Sequence, residues 1–172
     1  MPVLDPHSLE FISRSPEQTR RAGMHLGALL KPGDLICLLG DLGSGKTTLV
    51  QGISAGWGSL DAVSSPTFVI VNVYRRSNGF HAGKREQRLF HLDAYRLSGP
   101  AEAQALDLDE MLEAGALVVE WADRVQTALP KECLEIAMRY VDDDQRDLVL
   151  TARGSRYEWM LREFRRRVYG VG

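Results

Sequence analysis

An α/β fold with a mostly parallel central sheet is what this 172-residue sequence predicts, and three observations predict it. Two short apolar runs, Asp34 to Leu39 and Ala116 to Val119, read as strands buried on both faces, as central parallel strands are. Segments of helical period lie between and around them. The third observation is Gly40-Asp41-Leu42-Gly43-Ser44-Gly45-Lys46-Thr47, set where the first of those strands ends and a helix begins. It fits the pattern of a glycine, four residues and Gly-Lys-Thr that defines a P-loop.

The expected architecture is therefore a P-loop NTPase fold with helices on both faces of the sheet and antiparallel strands at its edges. It is expected to be one domain over 1–172, the closing hairpin and helix at 132–169 included. Apolar residues make up 44% and charged residues 26%, which is ordinary for a globular protein. A formal net charge of −2 excludes a blanket attraction to nucleic acid. Cys37 and Cys133 stand in apolar, strand-like segments without metal-binding spacing, and read as two buried, reduced thiols of a cytoplasmic protein. Met1 to Glu10 holds no apolar core of signal-peptide length, and no segment has the length of a membrane span.

In chain order, His7 to Ser13 alternates as an edge strand should. Ser15-Pro16-Glu17-Gln18 starts a helix, with Ser15 as cap, Pro16 at the first position and Gln18 closing a capping box. That helix carries Met24, Leu26, Leu29 and Leu30 inward and leaves Arg20 and Arg21 outside. After the strand from Asp34, the glycines of the loop let the backbone fold into a nest of inward N–H groups, and the next helix adds its positive end. Asp41, Leu42, Gly43, Ser44, Gly45, Lys46, Thr47 and Thr48 are the expected nucleotide-binding residues. Lys46 can reach the β- and γ-phosphates, Thr47 can ligate Mg2+, and Thr48 can cap the nest or touch an α-phosphate. The helix is expected over Lys46 to Ala55, stopped by Gly56 and Gly58.

Ser64-Ser65-Pro66-Thr67 precedes a strand expected over Phe68 to Tyr74. Thr67 either orders metal or water near a γ-phosphate or only shapes the turn around Pro66. Arg75 to Arg88 reads as a long polar hairpin loop. Leu89 to Arg96 resumes a strand whose period of two puts His91, Asp93 and Tyr95 on one face. Asp93 is then a candidate at the magnesium shell, with pairing to Arg96 or Tyr95 as the structural alternative. Pro100 to Glu113 reads as one acidic helix burying Leu106, Leu108, Met111 and Leu112. The strand Ala116 to Val119 ends in Glu120-Trp121-Ala122-Asp123, and Glu120 is the first choice for a metal-binding carboxylate. Glu132 to Tyr140 and Arg146 to Ala152 form an antiparallel hairpin placed at the sheet edge. A final helix, Ser155 to Tyr169, docks through Trp159, Leu161, Phe164 and Val168, with Arg156, Arg162, Arg165, Arg166 and Arg167 mostly outside.

Two chemistries share these parts. An ATPase passes the phosphate to water, whereas a small-molecule or nucleoside kinase would use Asp93 as base toward an acceptor hydroxyl and the basic loop as a lid. A GTPase would need an Asn-Lys-x-Asp element, which the chain lacks.

Four separated stretches together resemble the TsaE (YjeE) family. They are Gly-Asp-Leu-Gly-Ser-Gly-Lys-Thr-Thr at 40–48, Ser-Pro-Thr-Phe at 65–68, His-Leu-Asp-Ala-Tyr-Arg-Leu at 91–97 and Val-Glu-Trp-Ala-Asp at 119–123. The resemblance implies a small ATPase that binds and slowly hydrolyses ATP with Mg2+. It implies TsaD and TsaB as partners, in the threonylcarbamoyl-adenosine modification of tRNAs reading codons that begin with A. Hydrolysis is expected to reset that complex between turnovers, with tRNA met through the complex. In family terms Lys46 and Thr47 carry the P-loop roles, Thr47 and Glu120 match the magnesium positions, and Asp93 matches an acid near the phosphates. The start of the first helix, around Ser15 to Thr19, matches the adenine pocket. Asp107 stands where the family commonly has glycine, and the loop at 75–88 is longer than usual.

Overall fold

A computed structural model describes residues 5–63, 70–76 and 86–170. Its elements are β1 (Ser8–Ser13), α1 (Pro16–Gly27), β2 (Leu35–Leu39), α2 (Lys46–Trp57), β3 (Val71–Arg76) and β4 (Gln87–Asp93). There follow α3 (Pro100–Gln104), α4 (Leu108–Ala114), β5 (Gly115–Glu120), a 3-10 segment (Ala122–Ala128), β6 (Cys133–Tyr140), β7 (Arg146–Arg153) and α5 (Ser155–Tyr169). The strands form one mixed sheet in the order β1-β7-β6-β2-β5-β4-β3.

β2 sits at the centre with parallel neighbours on both sides, β5 and β6, and β4 continues the parallel part beyond β5. β3, β7 and β1 run antiparallel to their neighbours. From β2 the chain travels toward β3 at one edge, and from β5 it travels to β6 on the other side of β2. The crevice beyond the C-terminal ends of β2 and β5 is therefore the switch point at which sheets of this kind take ligands. Alternation divides the core in two. Ile36, Leu38, Ala116, Val118, Leu134 and Ile136 pack under α1, α2 and α5. Leu35, Cys37, Leu117, Val119 and Cys133 pack under α3, α4 and the 3-10 segment.

Several elements differ from their sequence expectation, each for a local reason. α2 does not stop at Gly56; it runs to Trp57 and is closed by Gly58 at φ 97°. Gly56 is there because α1 and α2 cross until their backbones touch. A methyl group on Gly27 would lie 2.0 Å from the Ile53 carbonyl oxygen, and one on Gly56 the same distance from that of Met24. With Gly23 and Gly27 forming the contact face, Met24 turns outward and is exposed. The expected helix from Pro100 to Glu113 is two helices, because Asp107 adopts φ 55° and accepts a hydrogen bond from the Glu110 N–H at 3.4 Å, starting α4 afresh. That left-handed backbone is what a glycine at this position would supply.

The hairpin of β6 and β7 is interior, not at an edge. β6 joins β2, and β1 covers the far side of β7, with Leu9 and Phe11 packed against the core. In α5, Arg165 is buried and donates to the carbonyls of Asp5 at 2.9 Å and Ser8 at 3.2 Å. Arg156 forks onto Asp34 at 3.0 and 2.8 Å, fastening α5 to the chain entering β2. Two of the arginines expected on the solvent side are thus structural. β4 ends at Asp93, so the strand period does not reach Tyr95. The strand expected from Phe68 is described from Val71, and Ser64 to Phe68, Thr67 among them, lie outside the described residues.

Candidate functional site

β2 delivers the chain into the glycine loop at the switch point. Gly40, Gly43 and Gly45 have φ of 145°, 80° and 97°. Gly45 occupies the cap position of α2, and no side chain there bonds the first turn. By contrast, Ser15 caps α1 by accepting from the Gln18 N–H at 3.1 Å, and Gln18 reaches back to the Arg14 N–H. The leading N–H groups of α2 thus remain available to an anion, where the helix dipole favours one.

Lys46 opens α2 and is 6% exposed. Its ammonium donates to the Gly40 carbonyl, to the Asp41 carbonyl at 2.9 Å and to the Ser44 hydroxyl at 3.3 Å. Burial lowers its pKa, while the charges of Glu120, Asp41, Asp93 and Asp123 oppose that fall. A buried cation surrounded by carboxylates and loop carbonyls is the arrangement that a polyphosphate exploits.

The acidic side of the site is set by register. Asp93 at the end of β4 is paired with Glu120 at the end of β5, and Glu120 also lies opposite Leu38 in β2. Period two puts both carboxylates on the sheet face that carries α2. The Asp93 carboxyl is held above its ordinary range, first by burial and then by the Glu120 charge, although a hydrogen bond from the Tyr95 N–H at 3.0 Å works the other way. Glu120 accepts from His91 Nε2 at 2.6 Å, and His91 Nδ1 meets the Tyr74 hydroxyl at 3.0 Å.

These donors fit magnesium. They are hard oxygens, two carboxylates at neighbouring strand ends and the Thr47 hydroxyl in the first turn of α2. Among the described residues no cluster of three or more acidic, His or Cys side chains could cage a metal alone. Magnesium does not need such a cage, since it keeps waters and shares phosphate oxygens.

Trp121 follows Glu120 with φ 57°, and this left-handed step swings the indole over the loop. Its ring centroid lies 5.0 Å from that of Tyr95, with the Arg124 guanidinium 5.0 Å from the Tyr95 ring. A cavity of about 490 Å³ beside the loop is lined by Gly40, Asp41, Leu42, Trp121, Met138 and Tyr140, among others. The start of α1 lies at this same end of the sheet, because Ser13 pairs with Arg146, and Arg146 with Tyr140. A second cavity, of about 340 Å³, opens on the opposite face beside Cys37 and Cys133.

Of the residues expected at the site, the fold gathers Asp41, Ser44, Gly45, Lys46, Thr47, Asp93 and Glu120 at one mouth. Thr48 is half-buried one step along α2, Gly43 is exposed at the tip of the loop, and Leu42 beside it is 76% exposed. Thr67 lies outside the described residues. Sequence alone assigns no role to His91 or Tyr74. The available signal is the placement of His91 two residues before Asp93, within the short apolar stretch of β4 from Leu89 to Leu92.

Most of the chain is matched in known proteins. Residues 13–148 match the family model described as "Threonylcarbamoyl adenosine biosynthesis protein TsaE". A Bacillus subtilis protein named tRNA threonylcarbamoyladenosine biosynthesis protein TsaE is 38% identical, with 92% of this chain and 94% of that protein covered. One of the same name from Streptomyces coelicolor is 39% identical over 80% of this chain and 93% of its own length. The crystal structure of Bacillus subtilis YdiB superposes with a TM-score of 0.73 at 34% identity, covering 93% of this chain and 95% of that one.

Proposed function

We infer the function from family membership: this chain belongs to the TsaE family, P-loop ATPases of tRNA threonylcarbamoyladenosine biosynthesis. Its own part is to bind ATP at the 40–48 loop, hydrolyse it slowly, and so permit repeated turnover of a TsaD–TsaB complex that modifies tRNAs reading A-starting codons. One observation carries this reading most: a buried Lys46 held at the open N-terminus of α2 beside two register-paired carboxylates, Asp93 and Glu120.

In this reading the loop N–H groups and Lys46 hold the β- and γ-phosphates. Thr47 and Glu120 would hold Mg2+, which would neutralise charge on the same phosphates. Asp93, whose carboxyl gains a proton more readily than usual, orients the attacking water from the neighbouring strand end. Thr67 is assigned to ordering that water or the metal, and Ser15 to Thr19 to the adenine side. No helix of the described residues is long and apolar enough to cross a membrane. We place the protein in the cytoplasm, which suits its free Cys37 and Cys133.

Phosphate release by the purified chain tests this, alone and with TsaD–TsaB and tRNA, scored together with multiple-turnover modification. Both are expected to rise in the full mixture, and Lys46→Ala should reduce phosphate release by more than about 100-fold. Turnover equally fast without partners would remove the coupling, and phosphate appearing on an added small acceptor would establish a kinase instead.

A further inference from the structure

A line of buried side chains crosses three neighbouring strands on the α2 face: Tyr74 in β3, His91 in β4 and Glu120 in β5. The His91 and Glu120 side chains are 1% and 6% exposed. A carboxylate only accepts, so His91 Nε2 carries the hydrogen that spans the 2.6 Å to Glu120 Oε2. With the ring hydrogen there, Nδ1 is the nitrogen left to accept, and the Tyr74 hydroxyl, which lies 3.0 Å from it, is the donor. One tautomer of His91 satisfies both contacts, with the ring hydrogen on Nε2.

This line exceeds what cohesion of the sheet requires, since the backbone ladders already join these strands in register. An apolar side chain at 91 would fill the same space without a buried imidazole to satisfy. What the polar line adds is a single orientation for Glu120, because a glutamate in a buried position with no directional partner keeps several rotamers.

We propose that Tyr74 and His91 are positioning residues that hold Glu120 by Oε2 and thereby present Oε1 to the metal of the nucleotide site. The inference rests on reading Glu120 as a magnesium-binding residue. His91 then acts through Glu120 and touches neither nucleotide nor metal, in the way that outer hydrogen-bond partners commonly orient a ligand.

The test is calorimetric titration of the intact protein with ADP, without metal and across a range of Mg2+ concentrations. Glu120→Gln should abolish the gain in affinity that Mg2+ confers. His91→Ala should shift the Mg2+ dependence by about tenfold, toward higher Mg2+, while metal-free ADP affinity stays within about twofold. His91→Gln, whose side-chain amide can meet Glu120 from the Nε2 position, should recover most of that shift. Tyr74→Phe, which frees the ring tautomer and leaves the packing, should give a smaller shift in the same direction. Equal weakening of metal-free and metal-dependent binding in His91→Ala, or no effect of Tyr74→Phe, overturns the positioning role while leaving Glu120 as ligand. If Glu120→Gln leaves the Mg2+ dependence intact, the reading of Glu120 falls and this inference falls with it.

Discussion

The Lys46 ammonium lies 4.3 Å from the centroid of the Trp121 indole. The contact joins the first residue of α2 to the residue after β5, so the cation that serves phosphate rests against an aromatic face in this structure. A cation–π contact of this kind contributes about 1 kcal/mol, less than charge-assisted hydrogen bonds to a polyphosphate. ADP should therefore draw Lys46 off the indole. With Trp57 and Trp159 replaced by Phe, so that Trp121 is the sole indole, emission should change on adding Mg-ADP. In Lys46→Ala the same addition should leave the spectrum flat.

Asp93 sets a stability cost that pH can reveal. Burial raises its carboxyl pKa above the ordinary value of 3.8. The folded protein then binds that proton more readily than the unfolded chain does, so stability contributed here is present below the ordinary value and falls as pH rises through the raised one. At neutral pH the ionised side chain is a burden on the nucleotide-free protein. Asp93→Asn should raise its unfolding free energy by about 1 kcal/mol, and the gain should disappear in acid. Denaturant melts at pH 7 and pH 3 would show it; a loss of stability at pH 7 would refute it.

The crossing of α1 and α2 leaves no room for a side chain. Gly27→Ala should cost about 3 kcal/mol, because the methyl meets backbone at 2.0 Å and neither helix can yield alone. Gly43→Ala meets nothing within 4 Å and carries only the strain of φ 80°, so about 1 kcal/mol is expected. Urea midpoints of the two variants, compared at constant slope, would rank them. Nucleotide binding should show the reverse, with the loop substitution the more harmful.

Cys37 and Cys133 are both buried and unbridged, and both line the 340 Å³ cavity. The neighbouring Cys133 thiol, with burial, raises the Cys37 thiol well above its ordinary pKa, and the Cys37 neighbour draws Cys133 down. Cys133 should accordingly react before Cys37 with iodoacetamide. Peptide mapping after brief alkylation should find label on Cys133, and Cys133→Ala should leave Cys37 unlabelled over the same interval.

What the sequence made legible follows from how locally each feature is encoded. The P-loop, the strand before it and the carboxylate that ends β5 are contiguous patterns, and residue order alone places them. Ser15, Pro16 and Gln18 encode the start of α1 within a single turn. Gly56 misled because a glycine that ends a helix and one that admits a neighbouring helix look alike until the neighbour is known. Arg165 reads as solvated in the sequence because its acceptors, the carbonyls of Asp5 and Ser8, lie at the other end of the chain. His91 carried no role for the same reason: its meaning depends on Tyr74 and Glu120, which only strand order brings alongside. The hairpin of β6 and β7 was recognised by alternation, but its neighbours in the sheet are a matter of topology, which alternation does not carry.

The glycine crossing also has a mechanical meaning. Side chains between helices ordinarily act as a compliant layer, taking up small shifts by changing rotamer. Between α1 and α2 that layer is missing where Gly27 faces Ile53 and Gly56 faces Met24. A push on α1, or on β1 which leads into it, is thus passed to the helix whose first turn holds Lys46 and Thr47 with little lost in between. The N-terminal strand and helix are thereby fixed in place against the helix that opens the phosphate site, with no side-chain cushion between them.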